Sequence, residues 1–176
     1  MFEHALSATT QIRELTREDL PELFTVFEIN RVRLRQSLSW VDTVPDEAAM
    51  AARVETRQRS GALVCGIFVD GRLAGYLTHN HVETVHRSAA IGYWIDAAHT
   101  WRGLMTAAAG AFVRHSFAER GLHRLIIRCA VGNAKSRAVP ERLGFRFEGV
   151  ERDGSWHYDR FVDVAVYAKL ASDEGR

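Results

Sequence analysis

The chain has 176 residues, 47% of them hydrophobic, which suffices for one packed core and is short for two independently stable domains. Its 23 Lys and Arg against 22 Asp and Glu give a net charge of +1, so no global field points to nucleic acid or an anionic membrane. The start Met1-Phe2-Glu3-His4 lacks a basic region followed by an apolar run, and no apolar stretch approaches the ~20 residues of a membrane helix. A cytoplasmic protein is expected, and Cys65 and Cys129, each inside an apolar strand-like run, fit free buried thiols in a reducing compartment.

A short strand, Gln11 to Glu14, leads into Thr16-Arg17-Glu18-Asp19-Leu20-Pro21, after which Leu20, Leu23, Phe24 and Phe27 recur at helical spacing. Pro21 favours a helix start near Asp19, and the helix is read as running on through Asn30 towards Leu38. A second helix begins at Thr43-Val44-Pro45-Asp46 and stops at Ser60-Gly61. Strands then follow over Ala62–Val69, Leu73–His81 and Ser88–Ile95, the first two joined by an Asp70-Gly71 hairpin turn.

The best-defined helix runs from Gly103 to Glu119, with Leu104, Ala107, Ala108, Ala111, Phe112 and His115 on one side and Arg120-Gly121 ending it. Next come a strand over Arg124–Ala130, a short helix from Asn133 to about Arg142 closed by Gly144, and strands over Phe145–Arg152 and Tyr158–Leu170. The tail from Ser172 is read as flexible. Seven strands in the order β-α-α-β-β-β-α-β-α-β-β describe a mixed sheet covered by helices.

The turn Thr100-Trp101-Arg102-Gly103-Leu104-Met105-Thr106 joins a strand to the start of a long helix. Free N–H groups there, together with the helix dipole, make an anion site. Gly103 removes the Cβ where a diphosphate must approach, Arg102 can add a charge-assisted contact and Thr106 offers a hydroxyl. By itself the glycine could equally serve only a tight turn. Pro140 stands inside the short helix and removes the N–H that would bond the Ser136 carbonyl, which predicts a loosened turn at Ser136.

Taken jointly, Tyr93-Trp94-Ile95-Asp96, Arg102 to Thr106, Asn133-Ala134-Lys135-Ser136 and Leu143-Gly144-Phe145 resemble the GNAT acetyltransferase superfamily. Met105-Thr106, Phe147-Glu148-Gly149 and Asp163 to Tyr167 resemble its RimJ/RimL type, the ribosomal-protein N-terminal acetyltransferases. Leu34, Gln36-Ser37-Leu38 and Trp40 resemble the RimL branch. The chain departs from the family pattern at Thr100 and Trp101, where the family often has Gln or Arg and a second glycine.

The resemblance implies an α/β (α+β) GNAT fold: a mixed, largely antiparallel seven-stranded sheet with helices on both faces. It also implies a single acetyltransferase domain over 1–176, of which 171–176 is tail. The cofactor is acetyl-CoA and no metal is expected. Tyr93, Trp94 and Ile95 would hold the pantetheine arm and polarise the thioester through backbone N–H groups, Asn133 would contact that arm, and the 100–106 turn would take the pyrophosphate. Ser136 matches the serine that protonates the departing thiolate.

For proton removal from the amine the candidates are Glu83 and Tyr158, because Ser155 stands where RimL relatives often have Glu; Glu151, Asp153 and His157 lie near it in sequence. Arg35, Leu38, Trp40, His79 and His81 are the candidate acceptor-binding residues. His79, His81 and Glu83 alternate along one strand, a spacing that also resembles metal ligands, although a structural or substrate-lining role is favoured. The expected acceptor is a protein N-terminal α-amine; a small amine such as an aminoglycoside, polyamine or aminoacyl-nucleotide toxin, and a non-catalytic CoA sensor, are the alternatives. No nucleic acid or membrane partner is expected, and a homodimer is the expected assembly.

Overall fold

The computed structural model describes residues 1–100 and 103–174. Its elements are β1 (Glu3–Ala5), β2 (Thr10–Glu14), α1 (Leu20–Ile29), α2 (Arg31–Arg35), α3 (Glu47–Arg59), β3 (Val64–Val69), β4 (Arg72–Glu83), β5 (Ser88–Ile95), α4 (Leu104–Ala118), β6 (Arg124–Ala130), α5 (Ala134–Arg142), β7 (Arg146–His157) and β8 (Arg160–Leu170). The strands form one sheet in the order β1-β2-β3-β4-β5-β6-β8-β7, antiparallel throughout except where β5 meets β6 in parallel.

Helices cover both faces. Met105, Ala108, Phe112 and Val139 of α4 and α5 pack on Ile67, Leu77, Ile91 and Ile127. Leu23, Phe27, Leu34, Met50 and Val54 of α1 to α3 pack on Val64, Tyr76 and Trp94 of the other face. β3 and β4 are covered on both sides, so they read in sequence as continuous apolar runs rather than alternations. Asp70 and Gly71, with φ of 48° and 76°, make the hairpin turn that their sequence predicts.

The sheet has eight strands rather than seven. The added strand, β1, is three exposed residues paired with Gln11 to Arg13, and its formation depends on Phe2 burying itself against His115, a contact no local pattern encodes. The helix read as continuous from Asp19 towards Leu38 breaks at Asn30, whose backbone (φ −96°, ψ 0°) leaves the helical region so that its side chain turns inward. Ala107 is exposed although the helical pattern puts it inward.

β7 runs on to His157 because a bulge between Glu151 and Ser155 absorbs the Asp153-Gly154 stretch, with Asp153 at φ 51° and its N–H donated to Asp163 Oδ1 at 2.9 Å. The start of the expected flexible tail is a 3-10 turn over Ala171–Asp173, held because Asp173 accepts the Leu170 N–H at 2.9 Å. Among the described residues no helix is long and apolar enough to cross a membrane.

Candidate active site

β5 and β6 pair from Ser88 opposite Arg124 to Ile91 opposite Ile127, and no pair follows. Beyond that point Gly92 to Ile95 stay attached to β4 alone, and Arg128 to Ala130 to β8 alone. Two parallel strands that part in this way leave a wedge whose walls are backbone edges without a strand partner. An extended ligand carrying amides can complete them.

α4 points its N-terminus at the same end of the sheet. Gly103 sits at φ 71°, in the left-handed region, and a Cβ there would meet no atom within 4 Å. The first intrahelical bond runs from Ala107 N to Gly103 O, so the N–H groups of Leu104, Met105 and Thr106 precede any helical acceptor and add to the dipole's positive end. The Met105 side chain belongs to the core, so only its backbone faces the site. Thr100 donates its hydroxyl to Ala97 O at 2.9 Å and closes a local turn. Trp101 and Arg102 lie outside the described residues.

The start of α5 forms the third side. Asn133 caps the helix by accepting the Ser136 N–H at 3.1 Å, as its type and position favour. Ser136 Oγ donates to the Tyr93 hydroxyl at 3.3 Å, and that hydroxyl donates to the Ser136 carbonyl at 2.8 Å. Burial holds the Tyr93 phenol well above its usual range, so it stays protonated. Trp94, the next residue, points its ring to the opposite face among Phe27 and Tyr76, leaving only its backbone for the wedge.

The β7–β8 hairpin continues past Val164, the partner of Ala130, by four residues or roughly 13 Å, overhanging the end of β6. At its tip Tyr158 donates to Leu38 O at 2.6 Å, and Arg35 lies 3.7 Å over the Tyr158 ring while pairing with Asp42. Trp40 stacks on Phe27 at 5.6 Å, and the Arg53 guanidinium lies over its ring at 3.9 Å. Tyr158 is thus joined to Arg35 and to Leu38, 120 residues away in sequence, in one wall that Trp40 extends two residues beyond Leu38.

A buried node unites this wall with the turn. Asn30, 3% exposed, donates to Val26 O at 2.9 Å and Asp96 Oδ1 at 2.7 Å, and accepts from Ala97 N at 2.9 Å and Arg33 NH2 at 2.9 Å. Arg33 also donates to Ile95 O, the last carbonyl of β5. Burial alone would raise the Asp96 carboxyl, but hydrogen bonds from Asn30 and His99 outweigh it and hold the pKa below the usual value. In sequence Asn30 reads only as a position within a continuous helix; a polar residue interrupting the α1 apolar pattern is the signal of its buried role.

Comparison with known proteins agrees with this geometry. Residues 10–146 match the model of the acetyltransferase (GNAT) domain family. This chain belongs to the GNAT acetyltransferases. It is 28% identical to the ribosomal-protein-serine acetyltransferase of Escherichia coli over 96% of this chain and 97% of that protein, and 34% identical to YdaF of Bacillus subtilis over 97% and 96%. Among solved structures it resembles RimL, the ribosomal L7/L12 α-N-protein acetyltransferase, in complex with coenzyme A, with a TM-score of 0.88 and 30% identity over 94% of this chain and 96% of that one.

As a GNAT enzyme the protein is an acetyl-CoA-dependent N-acetyltransferase. Acetyl-CoA combines an extended diamide arm with a pyrophosphate, and the described residues offer a counterpart to each: a strand edge without a partner, and a helix N-terminus opened by Gly103.

Several residues singled out in sequence do not join the site. His79 is 1% exposed, its Nε2 2.9 Å from Ser116 Oγ and its ring edge-on to Phe112, so its side chain is packed in the core away from the wedge. His81 adopts φ 49° at a bulge between Asn80 and Glu83, which breaks the alternation, so His79, His81 and Glu83 share no face. Glu83 pairs with Ser88, five residues or roughly 16 Å along β5 from Tyr93, too far for a base. Tyr158 uses its proton on Leu38 O, and burial raises its pKa, so it positions the wall rather than taking a proton. Of the other acids and bases near Ser155, Glu151 pairs with Arg128, and burial lowers the pKa of His157, itself 7% exposed.

Proposed function

We propose that the enzyme acetylates the N-terminal α-amine of a ribosomal protein. The supporting observation is the wall of Arg35, Leu38, Trp40 and Tyr158 beside the wedge, built from the segment that resembles the RimL branch, together with relatives named for ribosomal-protein acetylation. Residues from the end of α2, the segment after it and the tip of the β7–β8 hairpin make an acceptor surface suited to a peptide end.

In this reading the pantetheine arm lies along the free edge of Tyr93 to Ile95 and the pyrophosphate rests on Gly103 to Thr106. The neutral amine attacks the thioester carbonyl, whose oxygen is polarised by β5 N–H groups. The C–N bond forms, the C–S bond breaks, Ser136 passes its proton to the thiolate, and the proton released by the amine nitrogen returns through water to Ser136. Proximity supplies most of the acceleration.

The acid-base requirement favours an α-amine. With a pKa of about 7.7–8.0, about a tenth of such amines are neutral at pH 7, whereas a lysine near 10.4 is almost fully charged. An acceptor of this kind tolerates serine at position 155, where relatives often carry a carboxylate. We place the protein in the cytoplasm, where its ribosomal acceptor is made, and as a homodimer, which sedimentation would establish.

The test is acetyl transfer to a panel of ribosomal-protein N-terminal peptides, aminoglycosides and polyamines, with Ser136→Ala as control. We expect peptides to be preferred and Ser136→Ala to lower kcat roughly tenfold or more. Preference for a small amine, or CoA binding without transfer to any amine, would overturn the assignment.

A further inference from the structure

Pro140 sits on the second turn of α5 and brings no N–H, so the Ser136 carbonyl lacks its normal donor four residues on. A proline ring at this position also crowds the carbonyl four residues before it. The helix is otherwise regular around it: Arg137 N donates to Asn133 O at 3.0 Å and Leu143 N to Val139 O at 3.1 Å. The freed carbonyl receives the Tyr93 hydroxyl at 2.8 Å, across a contact that joins β5 to α5.

That bond has a directional consequence. A phenol has one proton, and here it is given to the carbonyl, so towards Ser136 Oγ, 3.3 Å away, Tyr93 can only accept. The Ser136 hydroxyl therefore points its one proton at the Tyr93 oxygen, which holds it in place. Its backbone is pinned from the other side by Asn133 Oδ1 at 3.1 Å. The strand whose free edge lines the wedge and the helix that carries Ser136 are locked through one tyrosine.

We infer that Tyr93 and Pro140 are paired positioning residues: Pro140 opens the Ser136 carbonyl to Tyr93, and Tyr93 fixes the position of the Ser136 hydroxyl, whose proton turns from the Tyr93 oxygen to the leaving thiolate when that forms. This rests on the reading of Ser136 as the group that protonates the thiolate. A purely structural proline inside a helix behaves differently, since replacing it should stabilise the protein and leave turnover alone.

The experiment compares Tyr93→Phe, Pro140→Ala, the double variant, and each single change in a Ser136→Ala background, measuring kcat, KM for acetyl-CoA and thermal melting. Pro140→Ala restores the helical N–H and relieves the crowding. Each single change should lower kcat about three- to tenfold with KM for acetyl-CoA held within about twofold, while Pro140→Ala raises the melting temperature. In the double variant the second change should add little, and in the Ser136→Ala background neither should lower kcat further. Unchanged kcat in Tyr93→Phe or Pro140→Ala, with Ser136→Ala impaired, overturns the positioning role. Wild-type kcat in Ser136→Ala overturns the proton-donor reading instead. Tyr93→Phe keeps ring and backbone, so the test does not depend on how Pro140→Ala folds.

Discussion

His79 should make the fold sensitive to acid well above the range where carboxylates titrate. The ring is 1% exposed; the Leu63 N–H, which can only donate, approaches Nδ1 at 3.4 Å, so Nδ1 is the acceptor and Nε2 carries the proton towards Ser116 Oγ. Ser116 in turn donates to Phe112 O at 2.6 Å. Burial is the main cause of a pKa pushed from 6.5 down to about 3, with the charges of Arg120 and His115 adding to it. Between those two values the unfolded chain binds a proton that the folded chain does not, so stability is fully present above pH 6.5 and falls as pH falls through that window. Going from pH 7 to pH 5 should cost about 2 kcal/mol from this residue.

The assay is urea unfolding at both pH values for the wild type and His79→Gln, which keeps a donor and an acceptor but does not titrate. Burial also lowers the pKa of His115 and His157, but both are present in the two proteins and drop out of the comparison. The wild type should lose about 2 kcal/mol more than the variant between pH 7 and pH 5. Equal losses would refute the assignment of His79 as a buried neutral structural histidine.

Asn30→Ala removes the acceptor of Ala97 N and Arg33 and the donor to Asp96 at a buried site, and should cost about 3–4 kcal/mol in urea unfolding. Calorimetric titration with CoA should also show weaker binding, because Asp96 and Ala97 open the turn; unchanged affinity would separate the node from the cofactor site. Gly92→Ala places a Cβ 2.4 Å from Asn80 Nδ2, whose amide is held by Arg57 through Oδ1 at 2.9 Å. A loss of about 1–3 kcal/mol is expected, and wild-type stability would mean that the Asn80 side chain moves aside freely.

Local chemistry wrote much of this protein into its sequence. Asp70-Gly71 specified a hairpin, Asp46 capped α3 by accepting the Ala49 N–H, and Asn133 capped α5, each through interactions spanning four residues or fewer. The turn at Gly103 and the Ser136 helix were legible for the same reason, and Pro140 could be seen to free a carbonyl. Other features depend on partners distant along the chain. Tyr93 meets Ser136 across 43 residues, Asn30 meets Asp96 across 66 and Tyr158 meets Leu38 across 120. Period-two alternation placed His79, His81 and Glu83 on one face, but a bulge at His81 decided otherwise. The sequence by itself determined where the helices start, where the chain turns and which backbone groups are left without partners; only the tertiary structure decided which side chain satisfies each one, because that choice depends on strand register and sheet order.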